Sequence, residues 1–221
     1  MIQSWKNLFF LHFSLDPLVV KSLLPDQLAL DLYDGKAYLG IVGFEMKSIH
    51  FHPVPWFCYP SFYELNLRTY VKLPNGKPAI YFFSLDANSW LSVLLARTLF
   101  KLPYCYYDLR YEIDNQSGKM QSLKDGQILN AFSFTLSNSP AKDTLAYFLL
   151  ERYDFITVKK KRHYVGSLTH VPYEAVHLKT YDYKTQLFKR FSIDENQITA
   201  EEFACYYCPG FKVKVTGFGR I

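Results

Sequence analysis

The segment best suited to chemistry is the run 62–70, in which polar residues occupy every second position. These residues are Glu64, Asn66, Arg68 and Tyr70. Side chains alternate between the two faces of a β-strand, so all four share one face. A carboxyl group can move a proton, a guanidinium can hold a carboxylate, and an amide and a phenol can orient the same ligand. The spacing therefore predicts a polar site on one face of a strand.

A second strand is expected to face this one, because the turn around Gly76 is typical of a hairpin. Folding the hairpin about Gly76 sets Arg68 opposite Ser84. The same fold sets Asn66 opposite Asp86. A register one residue away would pair polar with apolar side chains, so the pattern favours the first register. Arg68 then lies diagonal to Asp86, within reach of a charge-assisted pair.

Two interpretations of this polar face are open. It is either wet, like one face of most antiparallel sheets, or it lines the interior of a closed barrel. The face lacks the lysines that usually decorate solvated strands, and an interior position favours paired charges and a ligand-orienting role. The two interpretations lead to two functions: a small-molecule-binding barrel, or a non-catalytic interaction module with no enclosed ligand site.

The elements that must position this site are those of a mainly β protein. Aromatic residues make up 18% of the 221 residues, and they favour strands. Short strand-like runs alternate with turn signals, such as Asp34-Gly35 between the runs 28–33 and 36–46, and with a few helical segments, the clearest at 90–101. No repeat or linker is found. We therefore predict a single domain over residues 1–221 of mainly β (α+β) class, an antiparallel sheet curled into a barrel or cone with a few short helices.

Weaker local signals predict four further features. We expect an extended loop over 48–60, which holds three prolines, and a helix over 139–152. The runs 176–183 and 188–193 read as a strand pair. Thr199 opens a capping box, which predicts a last short helix.

Charge and composition exclude several classes of protein. The net charge of +5 is spread along the chain, so we expect no nucleic-acid partner. No apolar run approaches the ~18 residues of a membrane-spanning helix, and we expect no membrane partner. The start of the chain lacks a signal-peptide pattern, which indicates a cytoplasmic protein with reduced cysteines. The basic run 159–162 is most simply a solvated hairpin tip, with contact to an anionic surface as the alternative. The sequence leaves open whether the protein forms a homo-oligomer.

Two local patterns resemble metal or redox sites. His170, Glu174 and His177 would need one helix to converge, and Pro172 interrupts it. The pair Cys205 and Cys208 has no second pair of ligands for zinc and no thioredoxin-like context. We therefore predict no metal site. His170 is either a structural histidine or a hydrogen-bond donor or general base in the pocket.

The blocks 64–71 (Glu-Leu-Asn-Leu-Arg-Thr-Tyr-Val) and 82–87 (Phe-Phe-Ser-Leu-Asp-Ala) belong to a collinear set that begins at Trp5 and ends at Tyr173. In order and spacing this set resembles the YqjF-like family of uncharacterised bacterial proteins. That family is similar to the acetoacetate decarboxylase-like superfamily. The resemblance covers nearly the whole chain, and it implies a curved antiparallel barrel or cone around a central pocket.

Decarboxylases of that superfamily carry a Gly-Arg-Glu-x-x-Gly-x-Pro-Lys-Lys block, whose first lysine forms a Schiff base. The matching run here is 96–105, with Arg97 at the place of the arginine. Tyr104 occupies the position of this first lysine, and Cys105 occupies the position of the second lysine of the block. A phenol cannot form an imine, and Lys101, three residues earlier, is a poor substitute. The resemblance thus implies a pocket without amine chemistry.

We expect this pocket to hold a small ligand with a carbonyl or carboxylate group and to need no cofactor. Glu64 resembles the superfamily's pocket glutamate. Should the protein be an enzyme, Glu64 and Tyr104 are the candidate proton-transfer pair, acting by general acid–base catalysis or enol stabilisation. The candidate ligand-binding residues are Asn66, Arg68, Tyr70, Ser84, Asp86, Arg97 and His170.

Overall fold

The computed structural model describes residues 1–51 and 54–221, with the backbone alone for 51, 54–58 and 199–203. The strands in this part of the chain are β1 (Ile2–Leu15), β2 (Ala29–Leu30), β3 (Ala37–Phe51), β4 (Val54–Tyr59), β5 (Phe62–Lys72), β6 (Pro78–Ala87), β7 (Tyr104–Tyr106), β8 (Asp108–Ile113), β9 (Ser117–Lys124), β10 (Gln127–Pro140), β11 (Asp154–Lys159), β12 (Arg162–Thr169), β13 (Val176–Lys184) and β14 (Thr199–Arg220). The helices are α1 (Pro17–Leu23), α2 (Trp90–Leu99), α3 (Thr144–Leu150) and α4 (Leu187–Arg190).

Seven of the described strands close into a barrel in the order β1-β3-β5-β6-β11-β12-β14, and β14 pairs back onto β1. Neighbouring strands are antiparallel, except that β11 runs parallel to β6. The predicted mainly β barrel is confirmed. In the described residues, no helix is long and apolar enough to cross a membrane.

Beyond β14 the sheet continues as an extension that we call the second sheet, and this extension covers one side of the barrel. The order β14-β13-β10-β9-β8 carries the sheet away from the barrel wall. The space between the wall and this sheet is filled by an outer core, in which Phe9 and Leu65 meet Met120, Phe132 and Phe134. The wall strands β1, β3 and β5 are therefore buried on both faces.

The alternation of side chains along β1 feeds two separate cores. Phe9, Leu11 and Phe13 belong to the outer core. Leu8 and Phe10 point the other way, into the barrel, where an inner core includes the buried side of α3. Because both faces are covered, the strand reads as a nearly continuous apolar run.

Several hairpins agree with their turn signals. Asp34 and Gly35 both have positive φ, 47° and 75°, as a type I′ turn requires, and they join Tyr33 to its bridge partner Lys36. The predicted hairpin of β5 and β6 is confirmed. The hairpin implied by a tip at 159–162 is also confirmed, and its two strands are β11 and β12.

Other local predictions are wrong, because pairing with distant strands overrides the local signal. The run 28–33 contributes only the short β2, which pairs with β5 and not with β3. The backbone at Thr199 starts β14 and not a helix, since it pairs with β1. The expected loop 48–60 is largely strand, in β3 and β4, with residues 52 and 53 outside the description.

The helix expected over 139–152 is confirmed over 144–150 but starts later than predicted, and the strand expected over 188–193 is wrong. Pro140 ends β10, and the helix α3 begins only after Asp143, whose side chain caps it by accepting from the backbone N–H of Ala146. The segment Leu187–Arg190 is helix α4, and β13 pairs with β10 instead. The pattern thus placed the start of α3 a few residues too early and predicted a strand where α4 lies.

Candidate functional site

The barrel encloses a cavity of about 150 Å³. Its walls are mainly apolar side chains from β1, β3, β5, β6 and α2. The ionisable and amide groups on its wall that matter for chemistry are Glu64, Asn66, Arg68, Tyr104, Arg152 and Asp154. A mostly apolar cavity with a few convergent polar groups is typical of a small-molecule site.

Strand β5 supplies the polar row of this cavity. Glu64, Asn66 and Arg68 are 3%, 3% and 5% exposed, so the interpretation as a wet face is wrong. Leu65 and Leu67, between them, point into the outer core. The predicted shared face of the polar residues is confirmed, and that face is the interior of the barrel.

The predicted register between β5 and β6 is wrong. Arg68 lies opposite Phe82, because the turn spans Leu73 to Lys77 and is centred on Asn75, one residue before Gly76. A bulge between Leu67 and Arg68 then shifts the pairing by one residue and sets Leu67 opposite Ser84. Ser84 therefore shares the outer face with Leu67. The polar row instead faces apolar partners such as Leu85. Mixed pairs are tolerated here because the apolar partners form the wall of the cavity.

Asp86 also lies on the outer face, opposite Leu65, and the predicted pair between Arg68 and Asp86 is wrong. The partner of Asp86 is Arg190, whose Nη1 lies 2.9 Å from Oδ1. Burial raises the pKa of Asp86, and Arg190 opposes that rise. Arg190 also donates to Sγ of Cys105 at 3.2 Å. Asp86 and Cys105 thus form a cluster outside the cavity.

Glu64 and Tyr104 form a buried hydrogen-bonded pair on the cavity wall. The Tyr104 hydroxyl donates to Oε2 of Glu64, and Asn66 Nδ2 donates to Oε1 at 3.0 Å. Burial raises the pKa of Glu64 to about 7, although both hydrogen bonds oppose the rise. Burial and the neighbouring Glu64 raise the pKa of Tyr104 well above its usual value. Glu64 is therefore the group of this pair that can exchange a proton near neutral pH.

Arg68 is a buried cation without a carboxylate partner among the described side chains, those of residues 1–50, 59–198 and 204–221. No ion pair of Arg68 occurs there, and its described hydrogen bonds go to a phenol and a backbone carbonyl. Nη2 donates to the Tyr70 hydroxyl at 3.4 Å and to the Leu149 carbonyl at 3.3 Å, and Nε has no partner in the described structure. The ring of Phe10 lies 5.6 Å from the guanidinium carbon. Arg68 thus lines the cavity with a hydrogen-bond donor that the described residues leave unused.

His12 lies behind Arg68, with Gly40 between them on the neighbouring strand. A Cβ at Gly40 would lie 3.0 Å from the His12 ring and 3.3 Å from Cγ of Arg68. Burial and the Arg68 charge lower the pKa of His12 to about 3. The neutral ring donates through Nδ1 to the Ala204 carbonyl at 3.0 Å. His12 was not among the sequence candidates, although a lone histidine within a long apolar strand was a visible signal.

Arg152 is a second cation on the wall that sequence reasoning missed. Its Nη1 lies 2.6 Å from Oδ2 of Asp31, and Nε donates to the Phe148 carbonyl at 2.6 Å. The two partners are far apart in sequence, so no local spacing signals the pair. Arg152 is already neutralised, which distinguishes it from Arg68.

Tyr70, Arg97 and His170 do not line the cavity. Tyr70 supports Arg68 from behind, as its hydroxyl accepts from the guanidinium. Arg97 lies on the exposed side of α2. His170 stacks against Tyr153 and Phe211 at ring distances of 4.5 and 4.7 Å, and burial lowers its pKa.

Lys101 and the cysteine pair also lie away from the cavity. The Lys101 amine is hydrogen-bonded to the Thr98 carbonyl. Cys205 belongs to the outer core and Cys208 to the inner core, so the two thiols point to opposite faces of β14. In the described structure, no group of three or more His, Cys, Asp or Glu side chains could hold a metal ion.

Comparison with known sequences gives the family. A model of the DUF2071 family, described as an uncharacterized conserved protein, matches residues 2–212. The chain belongs to the DUF2071 family. This DUF2071 chain is 36% identical over 181 residues to the uncharacterized protein YqjF of Bacillus subtilis (strain 168), a match that covers 78% of this chain and 74% of YqjF. The YqjF-like resemblance is confirmed.

Solved structures share the fold of this DUF2071 chain. Acetoacetate decarboxylase from Legionella pneumophila superposes with a TM-score of 0.70 at 9% identity, over 98% of this chain and 87% of that one. The enduracididine biosynthesis enzyme MppR, complexed with pyruvate, gives 0.67 at 10% identity, over 99% and 89%. Identities this low show the fold alone. The predicted acetoacetate decarboxylase-like barrel is confirmed.

Proposed function

We propose that this protein binds a small organic carboxylate inside its barrel, with Arg68 as the anchor. The observation that carries the proposal is the buried guanidinium of Arg68, which faces the cavity without a carboxylate partner in the described residues. A buried cation is costly unless it is paired, and a ligand carboxylate would supply the missing partner.

The rest of the cavity fits the other end of such a ligand. Apolar walls enclose the carbon chain, while Asn66 keeps Oδ1 free to accept a hydrogen bond. A carbonyl oxygen beside Glu64 would accept a hydrogen bond from the protonated carboxyl group. MppR has been crystallised with pyruvate, itself a small carboxylate with a carbonyl group. That complex supports the ligand class for this fold.

Any reaction in this cavity would be a proton transfer and not an imine reaction. The motif resemblance aligns Tyr104 with the nucleophilic lysine of the decarboxylases, and Lys101 lies outside the cavity. Glu64 is placed to take a proton from, or return it to, a carbon next to a carbonyl, with Tyr104 as its hydrogen-bond partner. The proposal needs no cofactor and treats residues 1–221 as one domain. It places the protein in the cytoplasm, in keeping with the free Cys105, Cys205 and Cys208.

Native mass spectrometry of the freshly purified protein tests the proposal. We expect the wild-type protein to retain a small acid, or to take up added hexanoate, and Arg68→Met to lose this adduct. Arg110→Met is the matched control, because Arg110 is exposed on β8. A wild-type protein that carries no adduct even after incubation with hexanoate would contradict the proposal, as would equal retention by Arg68→Met.

A further inference from the structure

Helix α2 turns an unusually apolar face to solvent. Trp90, Leu91 and Leu94 share this face and are 66%, 45% and 47% exposed, and Leu99 at the end of the helix is 55% exposed. No acidic residue occurs from Trp90 to Lys101, and the only charges in that run are Arg97 and Lys101. An exposed apolar patch on one helix, with basic residues at its edge, is typical of a surface that contacts something else.

A basic turn lies beside the C-terminal end of this helix. Thr157 Oγ1 donates to the Lys101 carbonyl at 3.0 Å, and the rings of Phe100 and Phe218 lie 5.4 Å apart. Two residues beyond Thr157, the turn between β11 and β12 exposes Lys159, Lys160, Lys161 and Arg162. None of these four forms an ion pair with a described carboxylate. We call α2 and this turn the basic-apolar surface.

The same helix also contributes to the wall of the cavity. Leu95, Ala96 and Leu99 line the cavity, and Leu99 is also more than half exposed. The cavity wall therefore reaches the protein surface at Leu99, beside the basic-apolar surface. A partner seated on that surface would contact this part of the wall.

We propose that the basic-apolar surface docks on an anionic lipid bilayer, so that the cavity opens toward the membrane. Exposed leucines and a tryptophan enter the interfacial region, and the lysines and arginines meet the lipid headgroups. A second copy of the chain fits less well, because a two-fold contact would bring two basic rims together. This inference goes beyond carboxylate binding and does not depend on it. It also departs from the expectation of no membrane partner and follows the alternative of an anionic surface for residues 159–162.

Vesicle sedimentation of the full chain tests the docking. We expect at least ~10-fold more binding to phosphatidylcholine vesicles that contain phosphatidylglycerol than to phosphatidylcholine alone, weakened by added salt. Leu94→Glu and the double variant Lys160→Glu with Lys161→Glu should each remove most of that binding. The matched controls are Leu18→Glu on α1 and Lys124→Glu at the end of β9, both exposed. A blue shift of fluorescence that is lost in Trp90→Phe should accompany binding.

Three outcomes would overturn the proposal. They are no binding to anionic vesicles, equal binding to both kinds of vesicle, or equal loss in the test and control variants. A dimer that Leu94→Glu dissociates, in a protein that binds no vesicles, would assign the surface to a second copy. Hexanoate uptake is measured on the same samples. A protein that takes up hexanoate but does not bind vesicles would contradict the docking proposal and leave the proposed carboxylate site intact.

Discussion

At the scale of single residues, the site is built from charges that do not neutralise each other. Glu64 and Arg68 stand four positions apart on one strand, which separates their backbones by about 13 Å. Asn66 fills the space between them and bonds to Glu64 alone. Burial therefore has the largest effect on the pKa of Glu64 and favours its neutral form. The result is a carboxyl group with a raised pKa and, on the same wall, a cation without a carboxylate partner among the described side chains.

The raised pKa of Glu64 predicts a pH-dependent stability. The pKa rises from its ordinary 4.5 to about 7 on folding, so between these values the native state holds a proton that the unfolded state has lost. The stability that Glu64 contributes is complete below pH 4.5 and falls as pH rises through 7. Its full loss is about 3 kcal/mol. His12 acts in the opposite direction, since its pKa falls to about 3 and stability is lost as pH drops below 6.5.

Comparison with Glu64→Gln isolates the contribution of Glu64. We expect the variant to exceed the wild-type free energy of unfolding by roughly 2–3 kcal/mol at pH 8, and the excess to vanish toward pH 4.5. Urea denaturation across this pH range measures the difference. Glu112→Gln is the control, because Glu112 is exposed on β8. A difference that does not change with pH, or a variant less stable at pH 8, would count against the buried neutral acid.

At the scale of elements, alternation along β5 could be predicted and register could not. The alternation of side chains between the two faces of a strand is a local property, so Glu64 and Arg68 could be assigned to one face from sequence. The bulge after Leu67 depends on how β5 meets both of its neighbours, and it left Asp86 on the opposite face. The pair of Arg190 and Asp86, like that of Arg152 and Asp31, joins segments too far apart for any local pattern.

Two glycines test how the strands shape the cavity. Gly166 lies opposite Phe155, a cavity residue, and an added Cβ would come within 2.1 Å of that ring. Gly118 lies opposite Phe134 in the outer core, and its Cβ would come within 2.3 Å. Each ring covers its glycine, and each substitution by alanine should cost about 1–3 kcal/mol of stability.

Only Gly166→Ala should also weaken ligand uptake, because it pushes Phe155 into the cavity. Chemical denaturation gives the stability of both variants, and hexanoate titration gives their affinity. Gly217→Ala serves as a reference, since a Cβ there meets nothing within 4 Å. Equal loss of affinity in Gly118→Ala and Gly166→Ala would show that the effect comes from lower stability and not from the cavity.

At the scale of the whole molecule, the barrel class followed from strand spacing and from the family resemblance. The parallel pairing of β11 with β6 and the length of β14 could not be predicted in this way, because both arise from contacts across more than sixty residues. The second sheet covers the wall strands from outside, and this cover leaves the interior free to hold a polar row. The fold thus accounts for why Arg68 is buried and yet lines the cavity.

The central claim is that this buried cation anchors a carboxylate. Isothermal titration of hexanoate, and of hexanamide as its uncharged analogue, into wild type, Arg68→Met and Arg110→Met measures it directly. We predict that hexanoate binds wild type and Arg110→Met alike. Wild type should bind hexanamide at least ~10-fold more weakly than hexanoate, and Arg68→Met should bind hexanoate at least ~10-fold more weakly than wild type does. The reason is that a hydrogen bond to a charged group is worth about 1.5–3 kcal/mol. Equal affinity for the acid and the amide, or full affinity in a folded Arg68→Met protein, would contradict the account.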